Sequence, residues 1–168
     1  MIEVVKGTIT IPGDPPSRAN IQMDYRLKNV PLHKIKNKNL KAQKLKWLKT
    51  NEYKDHLAWI VQQHASCAIP KGHAVYVAMK MFFLYKKKGG IVQDLRKDID
   101  NVEKLVNDAL EKSGVIDDDK RICLKIVEKA VVKEHPRLEI YSIAGVENVS
   151  ENTKTEWIRN VYDSFLQS

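Results

Sequence analysis

The stretch AVYVAMKMFFLY, residues 74–85, constrains the fold more than any other part of the chain. Its nearly unbroken run of apolar residues predicts a long strand near the centre of a sheet. Three further strands are predicted, at residues 3–11, 121–133 and 137–143. The last two are separated by the turn EHP, and this spacing favours a hairpin in which they pair with each other.

Helical spacing of apolar side chains predicts helices at residues 51–67 and 101–113, and a third helix within the tail, residues 150–168. The helix at 101–113 has a single apolar stripe, formed by Val102, Leu105, Val106, Ala109 and Leu110. Gly114 follows it as a C-terminal stop. The element order is β-α-β-α-β-β-α, so we predict an α+β fold with a small mixed sheet and flanking helices. The length of 168 residues predicts one domain, residues 1–168.

Positive charge is concentrated near the start of the chain. The formal net charge is +8, and residues 1–50 hold 11 basic and 3 acidic residues, which is the whole of this excess. Residues 26–49 contain nine bases and no acid. Such a block attracts polyanions, because each lysine near a phosphate releases counterions. We interpret residues 18–50 as a basic loop or arm that binds nucleic acid, with some helix near its end. The alternative is a solvated segment that keeps the protein in solution.

The lysines predicted to contact DNA come from this arm and from the basic loop KKKGG. They are Lys34, Lys36, Lys38, Lys41, Lys44, Lys86, Lys87 and Lys88.

The sequence shows no secretory signal and no apolar run of the length that crosses a membrane, which is about 18 residues. Cys67 and Cys123 are far apart and have no CxxC partner. We therefore expect a cytoplasmic protein with two buried, reduced thiols.

Residues 94–119 hold nine of the 21 acidic residues. One interpretation is structural: Asp100 and Glu103 have the spacing of a capping box, and the acids at 117–119 form a solvated turn. The other is a site for a hard divalent cation such as Mg²⁺. Asp98 and Asp100 would point the same way from an extended segment. Lys104, one helical turn further on, would steady a phosphate there, unless it forms a surface ion pair.

The ordered set D-x-D-N-x-x-K, D-A-L, G and D-D resembles the RusA family of Holliday junction resolvases. It comprises Asp98, Asp100, Asn101, Lys104, Asp108, Ala109, Leu110, Gly114, Asp118 and Asp119. The opening ITIPGDPPS and the strand RLEIYSI are similar to the same family, so the resemblance spans residues 7–143.

This resemblance implies a homodimeric, Mg²⁺-dependent endonuclease, with Mn²⁺ as a substitute, that nicks four-way DNA junctions symmetrically. It implies that Asp98, Asp100 and Asp119, with the adjacent Asp118, bind the metal, and that Lys104 is the essential lysine. It also suggests a bacterial or phage-derived setting. Asp117, the long basic segment and the tail after residue 143 depart from the family pattern.

The spacing of these acids raises a geometric question. A straight helix over residues 101–113 is about 20 Å long, so Asp100 and Asp119 start from opposite ends of it. Either residues 114–119 double back almost fully extended, or two subunits share each site.

We predict a structure-specific endonuclease that resolves Holliday junctions in DNA recombination and repair. The alternatives are a non-catalytic module that binds branched DNA, with a structural acidic cluster, and a metal-dependent nuclease without preference for branches.

Overall fold

The computed structural model describes residues 1–5, 7–16, 27–85, 87–88, 91–92 and 99–166. The strands are β1 (Ile2–Glu3), β2 (Ile9–Pro12), β3 (Ala74–Leu84), β4 (Lys87–Lys88), β5 (Ile91–Val92), β6 (Ile122–Val132) and β7 (Arg137–Val146). The α-helices are α1 (Lys38–His64), α2 (Ile99–Lys112) and α3 (Glu151–Leu166). The α+β class and the mixed sheet are as predicted.

β3 lies at the centre of the main sheet, whose order is β1-β7-β3-β6, with β2 also paired to β7. β3 runs parallel to β6 and antiparallel to β7, so that Lys80 is level with Glu128 on one side and Glu139 on the other. The predicted hairpin between residues 121–133 and 137–143 is therefore wrong. The crossover through α2 delivers β6 parallel to β3, and β7 completes the other side of this most apolar strand.

α1 is much longer than the predicted helix at residues 51–67. It has 27 residues and begins after Asn37, whose side chain accepts hydrogen bonds from the backbone N–H groups of Asn39 and Leu40. The basic segment expected to be mostly loop is therefore helical from Lys38 onward. Its lysine, leucine, alanine and glutamine residues favour helix intrinsically, although they show little apolar periodicity.

The sheet buries side chains on both faces. α1 and α2 cover one face, where Val77, Met79 and Met81 of β3 belong to the larger core. α3 covers part of the other face, where Tyr76 of β3 packs against Trp157. The two cysteines lie outside both cores: Cys67 and Cys123 are exposed, which corrects the prediction that they are buried.

Candidate active site

The apolar stripe fixes the rotation of α2 about its own axis. All five of its predicted members are buried in the larger core. Gly114 follows with φ of 76°, a left-handed conformation that glycine adopts without steric strain. α2 ends at Lys112, and after Gly114 the chain turns back, so that Asp119 N reaches Glu111 in the last turn of the helix. The polar residues of α2 are consequently held on defined flanks.

These polar residues divide between two flanks of α2. On the flank toward α1, Asp108 Oδ2 lies 3.5 Å from Lys54 Nζ. On the flank toward β6, Glu103 Oε2 lies 3.3 Å from Lys125 Nζ. Asp108, a member of the ordered set that resembles the family, is therefore paired with Lys54 of α1.

Asp100 lies exposed in the first turn of α2. The helix begins at Ile99, so Asp100 is neither on an extended segment nor at the N-cap, as the two interpretations of the sequence had assumed. Lys104 is exposed one turn further on, on the same side of the helix. Asp98, predicted to act with Asp100, lies outside the described residues.

Asp117 connects the loop at residues 114–119, which we call the acidic loop, to the body of the protein. Its carboxylate accepts a hydrogen bond from Arg121, whose guanidinium also donates to the carbonyl oxygens of Pro70 and His73. This hydrogen bond is the main reason that the pKa of Asp117 lies below its ordinary value. Of the three consecutive acids, Asp117 is thus the one committed to a structural ion pair.

The other two acids of the run, Asp118 and Asp119, converge with Glu111 at the C-terminal end of α2. Carboxylate oxygens of these three residues lie within 4.8 Å of one another. Asp119 N donates to Glu111 Oε1 over 2.8 Å, and Asp118 Oδ1 accepts from Lys120 N over 2.9 Å. Sequence reasoning missed Glu111. The available signal was the turn at Gly114, which returns the chain to the last turn of the helix.

Asp100 and Asp119 therefore lie at opposite ends of α2. Eleven residues separate Asp100 from Glu111, which is about 16 Å of helix, and Asp119 is hydrogen-bonded to Glu111. Residues 114–119 do not double back toward Asp100, so the first of the two geometric alternatives is wrong.

Four of the predicted DNA-contacting lysines are exposed at the start of α1 and just before it: Lys34, Lys36, Lys38 and Lys41. The side chains of Lys86, Lys87 and Lys88 lie outside the described residues. This end of α1 therefore presents a basic surface, which we define as Lys34, Lys36, Lys38 and Lys41.

Lys44 has a different environment from these four. Its side chain is buried, and Nζ donates to the carbonyl oxygens of Leu27 at 2.7 Å, Lys28 at 3.1 Å and Val30. The ammonium group thus joins the turn at residues 27–30 to α1 and is directed into the protein.

The cluster of Glu111, Asp118 and Asp119 fits a hard divalent cation. It offers only carboxylate oxygens, which are the ligands that Mg²⁺ prefers, and all three side chains are at least partly accessible to solvent. Three carboxylates this close repel one another, and a cation between them relieves that repulsion.

Residues 28–141 match the family of endodeoxyribonuclease RusA. The chain belongs to this family of Holliday junction resolvases. The match includes α1, α2, the acidic loop and β6, whereas β1, β2 and α3 lie outside it. No curated protein matches the chain. Among the described residues, no helix combines the length and the apolar character needed to cross a membrane.

Proposed function

We propose that this endonuclease resolves four-way DNA junctions by paired symmetric nicks, and that it depends on Mg²⁺, with Mn²⁺ as a substitute. Its role would be in DNA recombination and repair, in a bacterial or phage-derived cytoplasmic setting. The observation that carries this proposal is the convergence of Glu111, Asp118 and Asp119 within the region that matches the family. The exposed lysines of α1 add a surface that attracts the DNA backbone.

Each acid has a specific role in this proposal. Asp98, Asp100 and Asp119, assisted by Asp118 and Glu111, would hold the cation, which activates water and neutralises charge on the phosphodiester. Lys104 would donate a hydrogen bond to a phosphate oxygen beside Asp100 and so stabilise the negative charge that develops there. Asp117 has no part in the chemistry, because it is paired with Arg121.

The basic surface of α1 would bind phosphates and position the junction, together with Lys86, Lys87 and Lys88. We leave Lys44 out of the DNA-contacting set, because its ammonium group already binds three carbonyl oxygens. Contacts between lysines and phosphates supply affinity without sequence specificity. This suits a resolvase, because it recognises the branched structure of its substrate.

We further propose that the protein is a homodimer with shared active sites. Asp100 lies about 16 Å along α2 from the Glu111 end. A site that uses both Asp100 and Asp119 is complete only if the second comes from another subunit. Two equivalent sites related by a two-fold axis also suit the two equivalent strands of a four-way junction.

The first experiment compares cleavage of a four-way junction with cleavage of a linear duplex of the same sequence, with Mg²⁺ or with EDTA. Wild type should introduce paired symmetric nicks into the junction only, and Asp100→Asn should abolish them. Asp163→Asn, on the exposed surface of α3, is the matched control and should cleave normally. Tight binding of the junction without cleavage in any divalent metal would favour a binding module, and equal cleavage of the duplex would favour a nuclease without branch preference.

The second experiment mixes Asp100→Asn chains with Asp119→Asn chains after each has been shown to be inactive. With shared sites, a heterodimer has one site with both acids intact and one with neither. When subunits of the two variants exchange at equal amounts, about half of the dimers are heterodimers, and each of these has one intact site of two. On the order of one quarter of the active sites should therefore be restored, and the product should be a singly nicked junction. If no activity returns although heterodimers form, the sites are not shared.

A further inference from the structure

Trp59 is an exposed tryptophan on the outer side of α1. Its side chain is 58% exposed, whereas Trp157 is buried and Trp47 is half-buried. An indole left in water forgoes the burial by which a tryptophan normally stabilises a fold. The ring of Trp59 instead stacks on that of His56, one turn earlier, with 6.1 Å between the ring centroids and 18° between the planes. The indole is therefore held by a neighbouring ring while more than half of its surface stays open to solvent.

Trp59 lies on the same stripe of α1 as the basic surface. From Lys38 to Trp59, an arc of about 80°, at 100° per residue, contains seven residues, all of them exposed. They are Lys38, Lys41, Leu45, Lys49, Glu52, His56 and Trp59. The stripe from Lys41 to Trp59 is about 27 Å long. At about 3.4 Å per base pair, this is the length of about eight base pairs of duplex.

Trp59 is also close to the level of the acidic loop. Lys112 Nζ, at the last residue of α2, lies 2.7 Å from Asp55 Oδ1 of α1. Further along both chains, Ile69 N donates to Val115 O over 2.8 Å, so the two helices finish at the same end of the fold. Trp59 is one turn beyond Asp55 in that direction. The stripe thus begins at the basic surface and finishes at the end of the fold that carries the cluster of three carboxylates.

The charge of the stripe changes along its length. Its first four positions include three lysines, whereas its last three carry Glu52 and two aromatic rings. Lys54 and Lys112, which lie between α1 and α2, are paired with Asp108 and Asp55. Phosphates bind to basic side chains, whereas aromatic rings stack on the faces of bases. A DNA contact at the Trp59 end of the stripe is therefore a contact to a base.

We propose that Trp59 stacks on a nucleobase at the branch point of the junction and so contributes to the recognition of branched DNA. This inference rests on the proposed function, which supplies the substrate. Within a continuous duplex each base pair is stacked on both sides, so an indole finds no open base face. Where strands separate at a branch, a base leaves the stack at lower cost. The contact with His56 orients the indole before DNA binds, which lowers the entropic cost of the stack.

The test measures the affinities for a four-way junction and for a linear duplex, both in EDTA so that binding is separated from cleavage. Trp59→Ala should bind the junction roughly 5- to 150-fold more weakly, with no change for the duplex. Trp59→Phe keeps an aromatic ring and should retain most of the junction affinity. Tyr162→Ala removes an aromatic side chain of nearly equal exposure on α3 and is the matched control. Thermal unfolding checks that each variant is folded.

Two further measurements separate a stacked base from a phosphate contact. Trp59→Ala should leave the slope of log affinity against log salt unchanged, because a stacked base releases no counterion. Junctions that carry a single 5-iodouracil should photo-cross-link to Trp59 when that base is at the branch and not when it is within an arm. The masses of the linked peptides identify the residue.

Wild-type junction affinity in Trp59→Ala would overturn the proposal, and so would an equal loss of affinity for junction and duplex. A smaller particle in light scattering of Trp59→Ala would also overturn it, because Trp59 would then belong to a contact between copies of the chain. Paired nicking by a wild-type protein whose Trp59→Ala variant binds the junction normally would reject the stack and leave the proposed function standing. A loss of junction affinity in Trp59→Ala, for a protein that cuts no junction, would do the reverse.

Discussion

Single residues of the acidic loop divide between holding the fold and forming the candidate site. Asp117 and Asp118 are neighbours, yet Asp117 contacts Arg121 and Asp118 lies with Glu111 and Asp119. The ion pair of Asp117 ties the loop to the chain at Pro70 and His73 through the same guanidinium. Substitutions at neighbouring positions should therefore have separable effects.

We expect Asp117→Asn to lower the melting temperature at neutral pH without changing the cleavage pattern. The pKa of Asp117 is lower in the folded chain than in the unfolded chain, mainly because of Arg121. The ion pair therefore stabilises the fold above the unfolded pKa of about 3.9, and this contribution is lost as the pH falls through the folded pKa. The difference in melting temperature from wild type should narrow below about pH 4. Asp163→Asn should show no difference at any pH, and a pH-independent effect of Asp117→Asn would argue against the ion pair.

Substitution of Glu111 tests whether the cluster of Glu111, Asp118 and Asp119 holds a cation. Glu111→Gln keeps an oxygen that can accept the hydrogen bond from Asp119 N but removes the negative charge. We expect the Mg²⁺ concentration for half-maximal cleavage to rise roughly tenfold, with little change in stability. Glu111→Ala should show the same rise and in addition lose about 1 kcal/mol of unfolding free energy, because the loop hydrogen bond is gone. Glu156→Gln on α3 is the control. An unchanged Mg²⁺ requirement in Glu111→Gln would remove Glu111 from the metal site.

At the scale of elements, α1 contributes lysines both to the basic surface and to the packing of the turn at residues 27–30. The same residue type has opposite uses within one turn, since Lys41 is exposed and Lys44 is buried against three carbonyl oxygens. The burial of Lys44 fixes the turn at residues 27–30 against the helix.

A pair of methionine substitutions should separate these two uses. Lys44→Met keeps an apolar stem but leaves the three carbonyl oxygens without their donor, so we expect a loss of about 1–3 kcal/mol in unfolding free energy. Lys41→Met should change stability by less than about 0.5 kcal/mol. In junction binding, Lys41→Met should reduce the slope of log affinity against log salt by about 1. The prediction fails if Lys44→Met is as stable as wild type.

At the scale of the whole molecule, the candidate site and α3 lie on opposite faces of the main sheet. α2 and its acids lie on the face shared with α1, and α3 packs on the opposite face, outside the region that matches the family. Trp157 anchors α3, because it is 2% exposed, packs against Tyr76 and donates from Nε1 to Ser142 Oγ over 3.0 Å.

Trp157→Ala should therefore destabilise the protein by roughly 3–5 kcal/mol in chemical denaturation. Tyr162→Ala, whose side chain on the same helix is 59% exposed, should change stability by less than about 0.5 kcal/mol. The Trp157→Ala fraction that remains folded should cut the same positions in a junction as wild type. A shift in the cut positions would mean that α3 takes part in DNA recognition.

Local sequence determined most of the elements. β3, α2 and α3 lie within a few residues of their predicted bounds, because runs of apolar residues and a repeat of 3.6 residues report burial directly. The amphipathic stripe of α2 and the stop at Gly114 were both readable from the sequence. The family was also predictable, because its motif is an ordered set of residues in one stretch of chain.

Only the tertiary structure decided which strands pair and which charges converge. β6 and β7 both carry strand patterns, but their placement on opposite sides of β3 depends on contacts distant in sequence. Glu111 joins Asp118 and Asp119 only after the turn has formed, and Lys44 becomes buried only when residues 27–30 fold against α1. Side-chain periodicity reports how one element faces the core. It carries no information on partners brought together by chain reversal, and for that reason these features appeared only in three dimensions.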